Sequence, residues 1–292
     1  MVVGDIMVDV VVRPRGQFNR GSDTASSIDV TPGGSATNQA VAMAAAGAEA
    51  HLVAAVGEDE LGQAAVRALA GTGVIAHLQP CAGARTGVVV ALVDEAGERS
   101  MYTDRGANLY LAPGALDGPG LFAPRRHLHL SGYVLLDKAT RPAGLAALAR
   151  AGAAGMTRSV DPCSAGPLAA VGSDAFLSWT KGVEWCCANL DEGRVLTGTE
   201  RPEDVIAGLR RHFGEVTLTL GAAGALVSGP GTDLLHLAAD PVDVADSTGA
   251  GDAFTGTFLA RRLSGDRPDQ ALRAALAAAA RVVQVAGARS WA

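Results

Sequence analysis

Residues 246–256 read Asp246-Ser247-Thr248-Gly249-Ala250-Gly251-Asp252-Ala253-Phe254-Thr255-Gly256: a polar approach, two glycines around an alanine, an aspartate, then small and apolar residues. The pattern predicts a helix over Gly251–Arg262 that opens at the glycines. Small residues there let backbone N–H groups converge at a helix N-terminus, which suits an anion. A carboxylate at the same point is a poor passive anion binder. It can, however, take the proton of a hydroxyl that attacks a phosphoryl group, while the amides hold the developing charge. An aspartate that only caps a helix after a glycine turn fits the same stretch, so the decision rests on the remaining sequence.

Outward from this segment, short apolar runs alternate with helical patterns. Strands are predicted at Met1–Val12, His51–Gly57, His127–Leu130, Ser159–Asp161, Trp185–Ala188, Val216–Leu220 and Ala225–Val227. Helices are predicted at Ser35–Ala46, Leu61–Ala70, Pro142–Ala151, Asp191–Leu196, Pro202–Phe213 and Pro268–Val285. Such alternation indicates an α/β fold whose central sheet is mostly parallel and flanked by helices on both faces. Two segments break the rhythm, Arg13–Thr31 and Arg85–Arg105. The second holds the runs Gly87–Val93 and Arg99–Thr103 around a turn at Asp94-Glu95-Ala96-Gly97. The expectation is one domain over residues 1–292, with these segments (approximately 13–31 and 85–105) forming a small β lid.

Composition narrows the function. The 292 residues are 48% hydrophobic but only 4% aromatic, so the core is built from Ala, Val and Leu. With 24 basic against 30 acidic residues and a net charge of −6, the chain has no basic footprint for nucleic acid or a membrane surface. Lys138 and Lys181 are the only lysines, so a phosphate compound would be held by backbone amides, arginine and a metal ion. Cys81, Cys163, Cys186 and Cys187 form no CxxC pair and read as reduced thiols. A cytoplasmic location is expected, since no leader-like or ~20-residue apolar segment is evident.

Six motifs in order carry a resemblance. Gly4-Asp5 with Asp9, Gly33-Gly34 with Asn38, Val56-Gly57 through Gly62, Asn189 with Glu192, Thr219 with Gly221 and Gly224, and the segment 246–256 span residues 4–256. Together they resemble the ribokinase-like (PfkB) family of carbohydrate kinases. The resemblance implies a ribokinase-like fold and ATP-dependent phosphorylation of a sugar hydroxyl with Mg²⁺. Asp252 would be the base, and Gly249, Ala250 and Gly251 the anion hole. Asp9, Gly33, Gly34 and Asn38 would hold the acceptor, with Arg105 as a further lid or substrate contact. Asn189 and Glu192 would act near the phosphates and Mg²⁺, the glutamate through water. Thr219, Gly221 and Gly224 would shape the nucleotide pocket. Asp246 and the Thr248 carbonyl match part of a monovalent-cation (K⁺) site, completed by carbonyls near Ala286–Arg289.

The sequence departs from the family at Asp161-Pro162-Cys163-Ser164-Ala165. There several sugar-acid kinases and fructokinases carry D-x-N-x-R. A nucleoside kinase shares the same machinery, and a non-catalytic sugar- or nucleotide-binding relative would keep the same fold. No G-x-x-x-x-G-K-[ST] occurs, nor H-R-D with D-F-G, nor G-x-G-x-x-G after the first strand. P-loop enzymes, protein kinases and dinucleotide oxidoreductases are therefore disfavoured. His127 and His129 share one strand face without a third ligand and read as structural. A lid of two hairpins leaves strand edges that a homodimer would cover.

Overall fold

The computed structural model describes residues 1–93 and 99–284. The turn expected at residues 94–97 and the carbonyls near residues 286–289 lie outside them.

The Val-rich start is not one strand. β1 (Val2–Asp5) enters the main sheet, the chain turns at Ile6, and β2 (Met7–Pro14) pairs with β3 (Ser26–Gly33) in a second sheet. β4 (His51–Gly57) and β5 (Ile75–Cys81) return to the main sheet, while β6 (Gly87–Val93) and β7 (Arg99–Asp104) complete the second. β8 (His127–Ser131), β9 (Thr157–Asp161), β10 (Trp185–Asn189), β11 (Glu215–Thr219), β12 (Ala225–Gly229) and β13 (Thr232–Leu237) finish the main one. Its order is β13-β12-β11-β10-β9-β8-β1-β4-β5, parallel except where β12 and β13 add antiparallel strands at one edge. The second sheet runs β3-β2-β6-β7.

Helices α1 (Ser35–Ala45), α2 (Glu60–Ala70), α3 (Tyr133–Leu136), α4 (Arg141–Ala153) and α5 (Ala165–Val171) occupy the first part of the chain. α6 (Ser173–Trp179), α7 (Leu190–Thr197), α8 (Pro202–Leu209), α9 (Ala250–Leu263) and α10 (Pro268–Val283) follow. The strands β5 and β13 and the helices α5 and α6 carry too weak an apolar period to be legible beforehand.

Alternation along the buried strands divides the core. Val3, Val53, Leu128, Leu130, Val160 and Val216 face α4, α7 and α8, whereas Val2, Leu52, Ala54 and Val56 face α1, α2 and α9. The polar residues His127, His129, Ser159 and Asp161 fall on the α1 side because they occupy the opposite parity from Leu128, Leu130 and Val160.

α1 and α9 touch closely where Gly256 meets α1. A Cβ on Gly256 would lie 2.3 Å from the Gln39 carbonyl oxygen and 2.7 Å from Ala42 Cβ. Backbone cannot yield there cheaply, so Gly256→Ala should push the helices apart. Overpacking of this kind costs about 1–3 kcal/mol. A lowered Tm in a thermal melt is the expected outcome, and an unchanged Tm would refute the tight contact.

Candidate active site

Gly249 caps α9 in the left-handed conformation (φ 78°), and no side chain caps that helix. Asp252 therefore does not serve as an N-cap. Its carboxylate crosses to α1 and accepts hydrogen bonds from Ser35 Oγ (2.7 Å), Asn38 Nδ2 (3.0 Å) and Gln39 Nε2 (3.1 Å). Burial pushes Asp252 up to about 8, reinforced by the charges of Asp161 and Asp5 and opposed by the Asn38 and Ser35 hydrogen bonds. Orphan N–H groups of the first turn of α9 and its dipole favour negative charge at the same place.

An 800 Å³ cleft lies between the two sheets. Asp5, Asp9, Asn38, Arg105, Thr248 and Asp252 supply much of its polar lining, and Met7, Val11, Val89, Ala91 and Met101 form an apolar wall. Asp9 on β2 is buried, which raises its carboxyl to about 6, with the charges of Asp5 and Asp246 adding to the effect. Gly33, on the neighbouring strand, leaves room for this side chain: a Cβ there would sit 2.3 Å from Asp9 Oδ2. Asp5 accepts from the Ala36 N–H (2.9 Å), which anchors α1, and from Arg105 Nη1 (3.1 Å). Arg105 also lies over the Tyr133 ring at 4.5 Å.

Behind Asp252 a smaller cavity of about 100 Å³ is lined by Asp161, Asn189, Glu192, Thr217, Thr219 and Gly251, among others. Asn189 caps α7 reciprocally with Glu192: the Glu192 N–H donates to Asn189 Oδ1 (2.9 Å) and the Asn189 N–H to Glu192 Oε2 (2.9 Å). Burial raises Glu192 to about 7 and Asp161 to about 8, the latter also through the Glu192 charge. Two buried carboxylates, Asp161 and Glu192, and the partly buried Asp252 thus face a space without a lining cation, and among the described residues the hydroxyl of Thr217 has no hydrogen-bond partner. Among the described residues no three carboxylate, thiol or imidazole groups converge tightly enough to ligate an ion directly. Oxygen donors at this looser spacing fit a hydrated Mg²⁺, which keeps much of its water. The K⁺ arrangement fits less well. Asp246 Oδ2 already accepts from Arg13 Nη2 (2.9 Å), and Oδ1 accepts from the N–H (2.8 Å) and hydroxyl (2.6 Å) of Thr248.

The model for pfkB family carbohydrate kinases matches residues 1–292. The chain belongs to that family. Family members are phosphotransferases with sugar hydroxyls as acceptors, and this chain is an enzyme of that kind. It is 33% identical over 262 residues to 2-dehydro-3-deoxygluconokinase of Thermoproteus tenax, covering 87% of this chain and 80% of that protein. It is 29% identical over 299 residues to ribokinase of Haemophilus influenzae, with 99% and 93% covered. The fold superposes with a TM-score of 0.86 on a ribokinase II-type protein of Escherichia coli solved with ATP and Mg²⁺, at 23% identity, with 98% and 92% covered.

Within this pfkB kinase, the residues singled out from sequence do not all converge. Asp9, Gly34, Asn38, Arg105, Thr248 and Gly249 border the cleft; Asn189 and Asp252 border both cavities; Glu192, Thr219 and Gly251 border the small one. Gly33 acts at one remove through Asp9, and Ala250, Asp246, Gly221 and Gly224 line neither cavity. Gly224 instead lets β12 pass close to Leu237, where a Cβ would lie 2.0 Å from the carbonyl oxygen. Ser35, Gln39, Tyr133 and Thr217 gain a role only from the structure, as do Asp5 and Asp161, which the sequence showed as motif residues without one. Ser35 and Gln39 stood inside a quoted motif, so their signal was present but unused.

A base works as its anion, and Asp252 is protonated below about 8. The acid limb of kcat/KM should therefore rise with pH and level off above about pH 8. A profile flat from about pH 6 to 9 would contradict this environment for the base.

Proposed function

We propose that the protein transfers the γ-phosphoryl group of ATP to a hydroxyl of a small sugar-like acceptor, with Asp252 as the base. The observation that carries this reading is the Asp252 carboxylate itself. It is partly buried, held by three donors from α1, open to the cleft and placed in the first turn of α9. The acceptor lies in the large cleft, its other hydroxyls bound by Asp9 and oriented by Asn38. The Asp252 carboxylate takes the reacting proton. Amides of Gly249 and Gly251 face charge developing on the phosphoryl oxygens, where one such donor is worth about 2.7–4 kcal/mol. The Ala250 N–H, bonded to the Ser247 carbonyl at 3.3 Å, would join them only by leaving that partner. Bound Mg²⁺ would neutralise phosphate charge, held through water by Glu192 with Asn189 and Asp161 nearby. Closure of the second sheet over the cleft excludes water and limits ATP hydrolysis.

Arg105 gives the cleft a guanidinium, which favours an acceptor bearing a carboxylate or another acidic group. The name of the Thermoproteus relative agrees with a sugar acid, although residues 161–165 lack the Asn and Arg of many such kinases. A nucleoside is the alternative acceptor, favoured by the apolar wall of Met7, Val11, Val89, Ala91 and Met101. ATP consumption over a panel of sugars, sugar acids and nucleosides separates the two. In that assay Asp252→Asn should lose about 10²-fold or more in kcat; wild-type turnover by the variant would remove Asp252 from the role of base.

The face of the second sheet opposite the cleft is apolar. Ile28, Val30 and Tyr102 are 59%, 58% and 62% exposed, and the registered partners Val10, Val12 and Val90 stand beside them. We propose that a second copy covers this face in a homodimer. Light scattering should give a dimer at micromolar concentration and a monomer for Val30→Glu; a monomeric wild type would contradict it.

A further inference from the structure

We propose that Gln39 is a positioning residue for Asp252, its amide oriented by a one-way hydrogen-bond chain through His129, Ser159 and His127 to Thr157. The inference rests on the reading of Asp252 as the base. It concerns residues that line neither cavity and that no motif role covers.

The chain starts at the carboxylates. Gln39 Nε2 lies 2.7 Å from Asp161 Oδ2, 3.1 Å from Asp252 Oδ1 and 3.1 Å from Ser35 Oγ. In the ionised form that Asp252 needs in order to act as a base, the carboxylates only accept, and the Ser35 hydroxyl hydrogen is committed to Asp252 Oδ1. The group facing them must therefore be the NH₂ of the amide, and Oε1 must face the other way. There it meets His129 Nε2 at 2.8 Å, so that nitrogen carries a hydrogen. His129 is fully buried, and burial pushes it down to about 3, so the ring is neutral and Nδ1 is an acceptor. Ser159 Oγ, at 2.6 Å, donates to it. Ser159 then accepts from His127 Nε2 (2.7 Å). His127 is also held neutral by burial, and its Nδ1 accepts from the Thr157 hydroxyl (2.8 Å). The Thr157 contact to the Arg126 carbonyl is longer, at 3.3 Å.

Every donor in this series points toward Asp252. The sequence builds it simply: His127 and His129 alternate with Leu128 and Leu130 on β8, and the parallel register sets His127 beside Thr157 and His129 beside Ser159. All these side chains are satisfied, as buried polar groups must be. Reversing the Gln39 amide would put its oxygen against two carboxylates and its NH₂ against the His129 N–H. That orientation is excluded while the imidazole donates. Asp252 Oδ1 is thereby pinned by Ser35 and Gln39, and Oδ2 by Asn38, which fixes the carboxylate plane relative to the cleft.

Removing the chain should disturb the base and leave substrate binding alone. The test compares wild type, Gln39→Leu, His129→Phe and His129→Gln, assayed with ATP and with ribose, fructose or 2-dehydro-3-deoxygluconate, whichever supports turnover. Misplacement of a reacting group by about 1 Å can cost on the order of 10²-fold. Gln39→Leu and His129→Phe should therefore lose roughly 10- to 100-fold in kcat with both KM values unchanged. His129→Gln, which can still donate to Gln39 and accept from Ser159, should recover much of the loss. A purely structural role would lower Tm without this split or rescue. Nitrogen-15 spectra of histidine-labelled wild type supply a readout independent of activity and of variant folding. Both rings should be neutral Nε2–H tautomers at about pH 9, where Asp252 and Asp161 are ionised, and an Nδ1–H or charged His129 there would overturn the chain. If Asp252→Asn is inactive while His129→Phe keeps wild-type kcat, the chain is refuted and the base survives. If Asp252→Asn is fully active, the base reading itself fails.

Discussion

The constraint on which the site depends is a carboxylate partly withdrawn from water. An ionised Asp252 shielded from much of the solvent is costly unless donors replace its lost hydration. Three side chains of one helical turn, Ser35, Asn38 and Gln39, take that place, each such bond to a charged group being worth about 1.5–3 kcal/mol. They can do so only because α1 and α9 approach through Gly256 and because Asp5 anchors the first turn of α1 through the Ala36 N–H. Catalytic geometry and core packing are here the same contact.

Charge is divided across the site with equal economy. On the acceptor side, Asp5 and Arg105 neutralise one another and leave a guanidinium partly open to the cleft. On the phosphate side, Asp161, Glu192 and Asp252 crowd three carboxyls, each raised above its ordinary range, around a cavity with no cationic side chain in its lining. That crowding is unfavourable to the empty protein but complementary to a metal-bearing nucleotide, as expected of sites that trade stability for function. Arg13 forms a separate tie, joining β2 of the second sheet to Asp246 ahead of α9. A movement of that sheet would be felt at the N-terminus of α9.

Much of this was legible in the sequence where a local rule had one outcome. The βα alternation gave the sheet and its helical layers, and residues 246–252 placed an aspartate at a helix start. The break at Ile6 was not legible, because Val2–Val12 is apolar apart from Gly4, Asp5 and Asp9, and periodicity cannot show a strand changing sheets. Nor did the sequence distinguish a capping aspartate from one that reaches across to another helix; that depends on the approach of α1. The pair His127 and His129 read as structural, which their burial agrees with, but their link to Gln39 needed the β8–β9 register. Gly221 and Gly224 show the reverse: a motif match need not place a residue at the cavity wall.

The most direct measurement is a crystal structure with a non-hydrolysable ATP analogue, Mg²⁺ and the accepted substrate bound together. The account predicts the reacting hydroxyl within about 2.6–3.2 Å of an Asp252 oxygen, with the terminal phosphate against the first-turn amides of α9. A hydroxyl facing the phosphate with Asp252 turned away, still bonded only to α1, would contradict it.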